Sequence, residues 1–383
     1  MTPSAMGSIT QQVRDELVRE APRSGTVLRR RIARAVRREQ PEIAGRARAE
    51  LIDACVDEVG GLGPLETLLA DPSITEILYC GRGVTYVERH GVLEPIGLEL
   101  CDEMVVELVH RIVAPLGLRF DRMAPIVDAR RSDGSRVHAV LPPLAVDGPT
   151  LCIRRFSTAV RTLDAFGVTP EVRTLLETRV RNGWNLLVSG GTSSGKTTLL
   201  GALTEFFPLG TRVITVEDSA ELALIPNHVV RLEARPANSE GAGAVSLREL
   251  VRAALRMRPD RLIVGEVRGP EAFDMLQACN TGHDGSCSSV HANSTHAALQ
   301  RLVALCAMGS ELRDFETVHA HLATGIDAIL HVARREDGVR EVVSIADLEY
   351  DGIRCRARTV VERRDGVLHI TAQPRIRPAR ADR

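Results

Sequence analysis

Residues 184–203 read Trp184-Asn185-Leu186-Leu187-Val188-Ser189-Gly190-Gly191-Thr192-Ser193-Ser194-Gly195-Lys196-Thr197-Thr198-Leu199-Leu200-Gly201-Ala202-Leu203. The octapeptide 190–197 fits G-x-x-x-x-G-K-[ST], the phosphate-binding loop. Its flanks agree: the apolar run 184–189 predicts a short buried strand, and 197–203 the opening of a helix. Lys196 is the only lysine among 49 Lys and Arg. An arginine-favouring genome lowers lysine everywhere, but it gives no reason for the survivor to stand at this position. A slim ammonium follows a bent loop to the outer phosphates, where a guanidinium is a broad planar fork.

From that loop the chemistry is set by need. Backbone N–H groups of Gly191 to Gly195 and the positive end of the following helix suit a nucleoside triphosphate such as ATP. Gly190, Thr192, Ser193, Ser194 and Thr198 complete the binding stretch. Thr197 offers its hydroxyl to Mg2+, and Lys196 lies against the outer phosphates. Hydrolysis further needs one carboxylate that orients or deprotonates water and one that holds the metal or its water shell.

Downstream, strand and helix alternate in the manner of a parallel sheet. Strand-like runs 212–216 and 261–264 lead into Glu217-Asp218 and Glu266, with a further strand at 229–232 and a helix over 247–257. Ligands in such folds sit at the carboxyl ends of strands, which makes Glu217 and Glu266 the two candidate carboxylates, in an order the spacing leaves open. Residues 282–294 read as a polar loop carrying His283 and His291. Metal binding and a structural role both stand for these histidines, since no second ligand pair is evident nearby.

The remaining chain of 383 residues divides by pattern. Residues 1–60 read as an arginine-rich helical extension, with Arg29, Arg30, Arg31, Arg34, Arg37 and Arg38 crowded together. A solvated helix face is the favoured reading of that run over a docking or nucleic-acid patch. Gly60-Gly61-Leu62-Gly63-Pro64 breaks it. Residues 61–156 form a mixed α/β domain, with strands at 74–78, 84–87, 126–130, 136–140 and 151–156 and a helix over 103–116. Turns fall at Gly81-Arg82-Gly83, at His90-Gly91 and at Asp133-Gly134, the last a hairpin signal. A linker at 157–170 leads to the nucleotide domain, 171–383. A Gly/Ala-rich stretch at 238–244 is the nearest approach to low complexity.

Composition narrows the classes. Net charge is −1 and aromatics are 3%, so neither a global field nor a base-stacking surface points to a stable nucleic-acid partner. The eight cysteines contain no C-x-x-C pair, and no apolar run reaches the roughly 18 residues that span a bilayer. A cytoplasmic protein that meets a membrane only through a partner is the expectation.

GGTSSGKT, RVITVEDSAEL, LRMRPDRLIVGEVRGPEAFDMLQACNTGHDGS and SSVHANS occur in that order. Together with GLGPLETLLADPSITEI, PIVDAR and DGSRVHAVLPP earlier in the chain, they resemble the secretion-ATPase superfamily of types II and IV, over about Gly61 to Asp351. The branch that drives tight-adherence (Flp) pilus assembly is the most similar. The resemblance implies a homo-hexamer of subunits with a small PAS-like N-terminal domain and a RecA-like motor, working on a polytopic inner-membrane platform protein. It assigns Glu217 to the catalytic acidic box and Glu266 to the metal-holding Walker B position. It makes His283 and His291 phosphate sensors, and Arg130, Arg136 and Arg268 phosphate-contacting arginines. Type IV secretion of the conjugation type is the alternative, and a DNA translocase stands further off. The chain departs from the pattern in lacking a tetracysteine zinc element and in carrying Cys80, Asp284 and Cys287.

Overall fold

The computed structural model describes residues 25–89, 91–98, 100–155, 162–226, 228–237, 241–309 and 315–375. Parts of the expected extension (1–24), of the linker (157–161) and of the Gly/Ala-rich stretch (238–240), together with His90, lie outside the described residues. The chain packs as two units, Met1–Phe156 and Ser157–Arg383.

In the first unit α1 (Gly25–Glu39) and α2 (Gly45–Gly60) form a helical hairpin around Ile32, Ala35, Val36, Leu51 and Cys55. The arginines of α1 stay outside, with Arg29, Arg30, Arg34, Arg37 and Arg38 exposed. After α3 (Leu65–Ala70) comes a six-stranded antiparallel sheet, order β3-β2-β1-β6-β5-β4. Its strands are β1 (Ile74–Tyr79), β2 (Thr85–Arg89), β3 (Val92–Ile96), β4 (Ile126–Arg130), β5 (Arg136–Val140) and β6 (Thr150–Arg154). β3 is a strand the pattern had not separated from the turn before it. Helix α4 (Asp102–Val113) buries Val105, Leu108, Val109, Ile112 and Val113. That spacing marks one helix face, and it packs with Ile77, Val87, Val137 and Ile153 of the sheet. The expected hairpin at Asp133-Gly134 forms, with Gly134 at φ 86° and Arg130 paired to Arg136.

The second unit is a nine-stranded sheet, order β15-β14-β13-β12-β7-β11-β10-β8-β9. Its parallel part comprises β7 (Leu186–Gly190), β8 (Val213–Glu217), β9 (Val229–Glu233), β10 (Arg261–Val264), β11 (Cys287–His291) and β12 (Ala328–Arg334). An antiparallel extension follows: β13 (Arg340–Tyr350), β14 (Cys355–Arg364) and β15 (Val367–Ile370).

Helices cover the parallel strands on both faces, as that arrangement requires. Helix α5 (Pro170–Arg181) and α6 (Lys196–Leu203) pack with Leu186, Val188 and Leu330 in one apolar layer. Helices α7 (Leu247–Ala254), α8 (Glu271–Asn280), α9 (Thr295–Gly309) and α10 (Phe315–Gly325) pack with Leu187, Leu262 and Val290 in the other. Each such fully buried side chain contributes on the order of 1.5–3 kcal/mol.

β11 corrects the reading of 282–294 as one loop. Residues 287–291 are a central strand between β7 and β10, and Ser288 and Ser289 are buried there. Hydropathy hid it, because its middle is hydroxylic; Ser289 Oγ donates to Gly265 O at 2.7 Å, which satisfies the buried hydroxyl.

Candidate nucleotide site

β7 delivers the glycine loop to the carboxyl edge of the sheet, and α6 starts immediately after it. A Cβ at Gly190 would lie 2.4 Å from Val332 O and 2.4 Å from Ser194 Oγ, so only glycine fits. Gly195 has φ +97°, and a Cβ there would meet Arg340 Cδ at 2.9 Å. Between them Ser193 adopts the left-handed region at φ 56°, a cost to a non-glycine residue of roughly 1–3 kcal/mol. Two contacts hold the turn: Ser194 Oγ donates to Gly191 O at 2.9 Å and Arg340 Nε donates to Ser193 O at 3.2 Å. The result is a tight loop at the start of a helix whose first N–H groups lack intrahelical partners. Its shape and polarity fit a phosphate chain. Thr192 is exposed, and Thr197 and Thr198 are half-buried in the first turn of α6.

Lys196 is buried, and its ammonium donates to Gly190 O at 3.1 Å and Gly191 O at 2.8 Å. His291 Nε2 lies 3.2 Å from Nζ. An ammonium only donates, so this ring nitrogen is the acceptor and His291 is neutral. Burial holds the imidazole below its ordinary value; the Glu266 charge opposes this, and the Lys196, Arg268 and Arg301 charges reinforce it. His291 Nε2 is also 3.4 Å from Glu266 Oε1. The Glu266 carboxylate is gripped by the Arg268 fork, Nε at 2.9 Å and Nη2 at 3.2 Å, and Arg268 Nη1 reaches Asp218 at 3.4 Å. Lys196, His291, Glu266, Arg268 and Asp218 are thus brought into one polar cluster, in which His291 and Glu266 are neighbours without a hydrogen bond between them.

Glu217 adjoins the Asp218 end of that cluster without a bond to it. It ends β8, three strand steps from β7, which is about 14 Å sideways at roughly 4.8 Å per step. Its carboxylate is buried and accepts from Glu221 N at 2.7 Å and Leu222 N at 2.8 Å, both on Oε2. Oε1 is buried without a hydrogen-bond partner. Burial pushes the carboxyl above its usual range, against the lowering effect of the Leu222 and Glu221 N–H groups and the Arg231 charge. A Cβ at Gly265 would meet Glu217 Cγ at 2.9 Å, which explains glycine between β10 and Glu266.

Other expected residues are placed differently. β11 runs from Cys287 beside Leu186 to His291 beside Gly190. His283 precedes the start of that strand, with its Nδ1 3.2 Å from Ala278 O, and so lies toward the opposite edge of the sheet. Within the unit it is not brought to the loop. Arg130 and Arg136 stand opposite one another at the hairpin of the first unit. Sequence reasoning passed over Arg340 and His331, which pattern alone does not mark. His331 is buried on β12, 3.0 Å from Ser189 Oγ, and burial together with the Lys196 charge lowers its pKa.

Residues 58–371 match the family described as Type II/IV secretion system protein. The chain belongs to that family. A Mycobacterium tuberculosis protein provisionally named for conjugal transfer is 40% identical over 314 residues, covering 79% of this chain and 89% of its own length. The type IV secretion system protein PtlH of Bordetella pertussis is 39% identical over 252 residues, 58% of this chain and 74% of its own. Among solved structures, the pilus retraction motor PilT with bound ADP aligns with TM-score 0.54 at 20% identity, over 74% of this chain and 81% of that one. The Legionella pneumophila ATPase DotB aligns with TM-score 0.53 at 19% identity, over 74% and 78%. The fold is therefore that of the RecA-like secretion motors with their N-terminal domain. Among the described residues no helix is long and apolar enough to cross a membrane, and no group of three or more His, Cys, Asp or Glu side chains is arranged to hold a metal.

Proposed function

We propose that this family member hydrolyses ATP and works as a subunit of a hexameric motor that drives assembly of a tight-adherence type pilus or related secretion. The observation that carries the reading is the contact chain from Lys196 through His291 to Glu266 at a glycine cradle. Lys196 exchanges its two loop carbonyls for the outer phosphates. His291 lies within reach of the group that Lys196 engages, and Arg268 keeps Glu266 oriented. Thr197 and, through water, Glu266 would hold Mg2+, which neutralises phosphate charge when bound. Glu217, with its raised carboxyl pKa and unpaired oxygen, serves as the group that orients water. Arg130 and Arg136, on the first unit, are proposed to meet phosphate from outside the unit that carries the loop, and His283, on the loop's own unit but away from it, to meet the phosphate held by a neighbouring subunit of the ring. An inner-membrane platform protein is the proposed partner, which makes the chain cytoplasmic and peripheral.

A second reading, conjugation-type secretion, is favoured by the names of relatives. PtlH is a type IV secretion system protein, and TrbB of Rhizobium radiobacter, 31% identical over 78% of this chain and 92% of its own, is a conjugal transfer protein. The test is turnover of ATP by the purified full chain with Mg2+. Activity that survives Lys196→Ala or Glu217→Gln sinks the site assignment. Strong stimulation by DNA at physiological salt favours a translocase over both readings, and co-purification with a polytopic membrane protein supports the motor.

A further inference from the structure

A hollow of about 520 Å³ opens beside the glycine loop, between Gly191 and His291 on one side and the outer face of α9 on the other. Ala297, Gln300 and Arg301 line it at helical spacing, together with Asn293. Most arginines of the second unit that border charged elements are committed: Arg248 and Arg252 to Asp274, Arg268 to Glu266, Arg179 to Asp347. Arg301 is not. Its guanidinium is exposed and makes no hydrogen bond or ion pair among the described residues, yet its charge is felt at His291. Gln300 Nε2 lies 3.1 Å from His296, and Arg301 and Asn293 are further side-chain donors in the lining of this space.

The charge of Arg268 is balanced by Glu266 and Asp218, whereas Arg301 adds a positive charge to the lining of the hollow with no acid bonded to it among the described residues, and an arriving anion would complement it. The guanidinium fork matches two oxygens of a tetrahedral oxyanion. We propose that the hollow is a second anion subsite, in which Arg301, with Asn293 beside it, takes up orthophosphate next to the loop. This deepens the proposed hydrolysis and rests on it for its purpose, since orthophosphate is what hydrolysis at the loop sets free. Binding itself does not need turnover.

The test is direct titration of inorganic phosphate into the full chain saturated with ADP, which occupies the loop, read by calorimetry, with ADP titrated separately into the nucleotide-free chain. Wild type is expected to bind phosphate. Arg301→Ala is expected to weaken phosphate at least tenfold while ADP affinity stays within twofold, and Arg301→Lys to restore part of the loss. Lys196→Ala is expected to weaken ADP. The position is exposed, so thermal melting of Arg301→Ala should match wild type. Wild type that binds no phosphate at tens of millimolar, or an Arg301→Ala variant that binds it normally, overturns the subsite. Equal weakening of phosphate and ADP overturns its independence from the loop. Loss of hydrolysis with phosphate binding intact would instead count against the catalytic reading alone.

Discussion

Arg179 and Asp347 form an ion pair of 2.6 Å with side-chain exposures of 2% and 0%. Arg179 also lies over the ring of Trp184, with its Cζ 4.3 Å from the centroid. Two of its nitrogens, Nε and Nη1, are buried without hydrogen-bond partners, and burial pulls its pKa below the ordinary guanidinium value against the Asp347 charge. Replacing Arg179 by alanine strands a carboxylate in the interior, a change that costs about 3–5 kcal/mol. Asp347 keeps the Arg375 backbone N–H at 2.7 Å and Arg358 at 4.0 Å, which places Arg179→Ala near the lower end. About 3 kcal/mol corresponds to a melting shift of roughly 6–12 °C for a unit of this size. Trp184 is the only tryptophan, so its emission during urea unfolding reports on the second unit alone. The double variant Arg179→Met with Asp347→Leu should recover most of the loss, because both charges leave together. A cost below about 1 kcal/mol, the scale of an exposed pair, would refute the reasoning.

Other outcomes follow from the site and from burial. Gly265→Ala should push Glu217 aside and lower ATP turnover at least tenfold, with a stability loss of about 1–3 kcal/mol from overpacking; unchanged turnover in a steady-state assay would contradict the packing argument. The Glu217 carboxyl is raised in the folded chain, so its protonated form is the favoured one and its contribution to stability is full below its unfolded value of about 4.5. That contribution is lost as pH rises through the folded value; Glu217→Gln should therefore gain on wild type with rising pH and then level off, as read by urea titrations across pH. Exposed Cys80 and Cys101 should react with a thiol probe in the native chain, while buried Cys279, Cys287 and Cys306, the last two pushed up to about 11 and 12, should wait for unfolding. Mass spectrometry of the labelled peptides decides it.

The nucleotide unit was legible in the sequence where chemistry is local. The glycine loop and the strands before Glu217 and Glu266 are apolar runs with punctuation, and burial on both faces makes such runs visible. β11 escaped because buried serines replaced buried valines, their hydroxyls satisfied by neighbours that no sequence window contains. The antiparallel β13–β15 escaped for a different reason: a half-exposed strand such as Cys355–Arg364 alternates charge with short apolar steps and resembles loop. His283 and His291 stood together in the sequence reading because β11, read as loop, in fact carries the chain from the neighbourhood of one to the loop edge where the other sits. The ionic cluster of Arg179, Asp327, Asp347 and Arg375 joins positions far apart in the chain and has no local signature.

Arg340 donates to Ser193 O from 147 positions downstream, and Val332 O seals the floor beneath Gly190. An octapeptide that looks self-contained on the page thus has one support in the last parallel strand and another in the first strand of the antiparallel extension. A minimal motor cut after β12 would retain the whole phosphate loop and lose the guanidinium that props its left-handed residue. The boundary of this site as a transplantable part therefore lies near β13, well beyond the motif by which it is recognised.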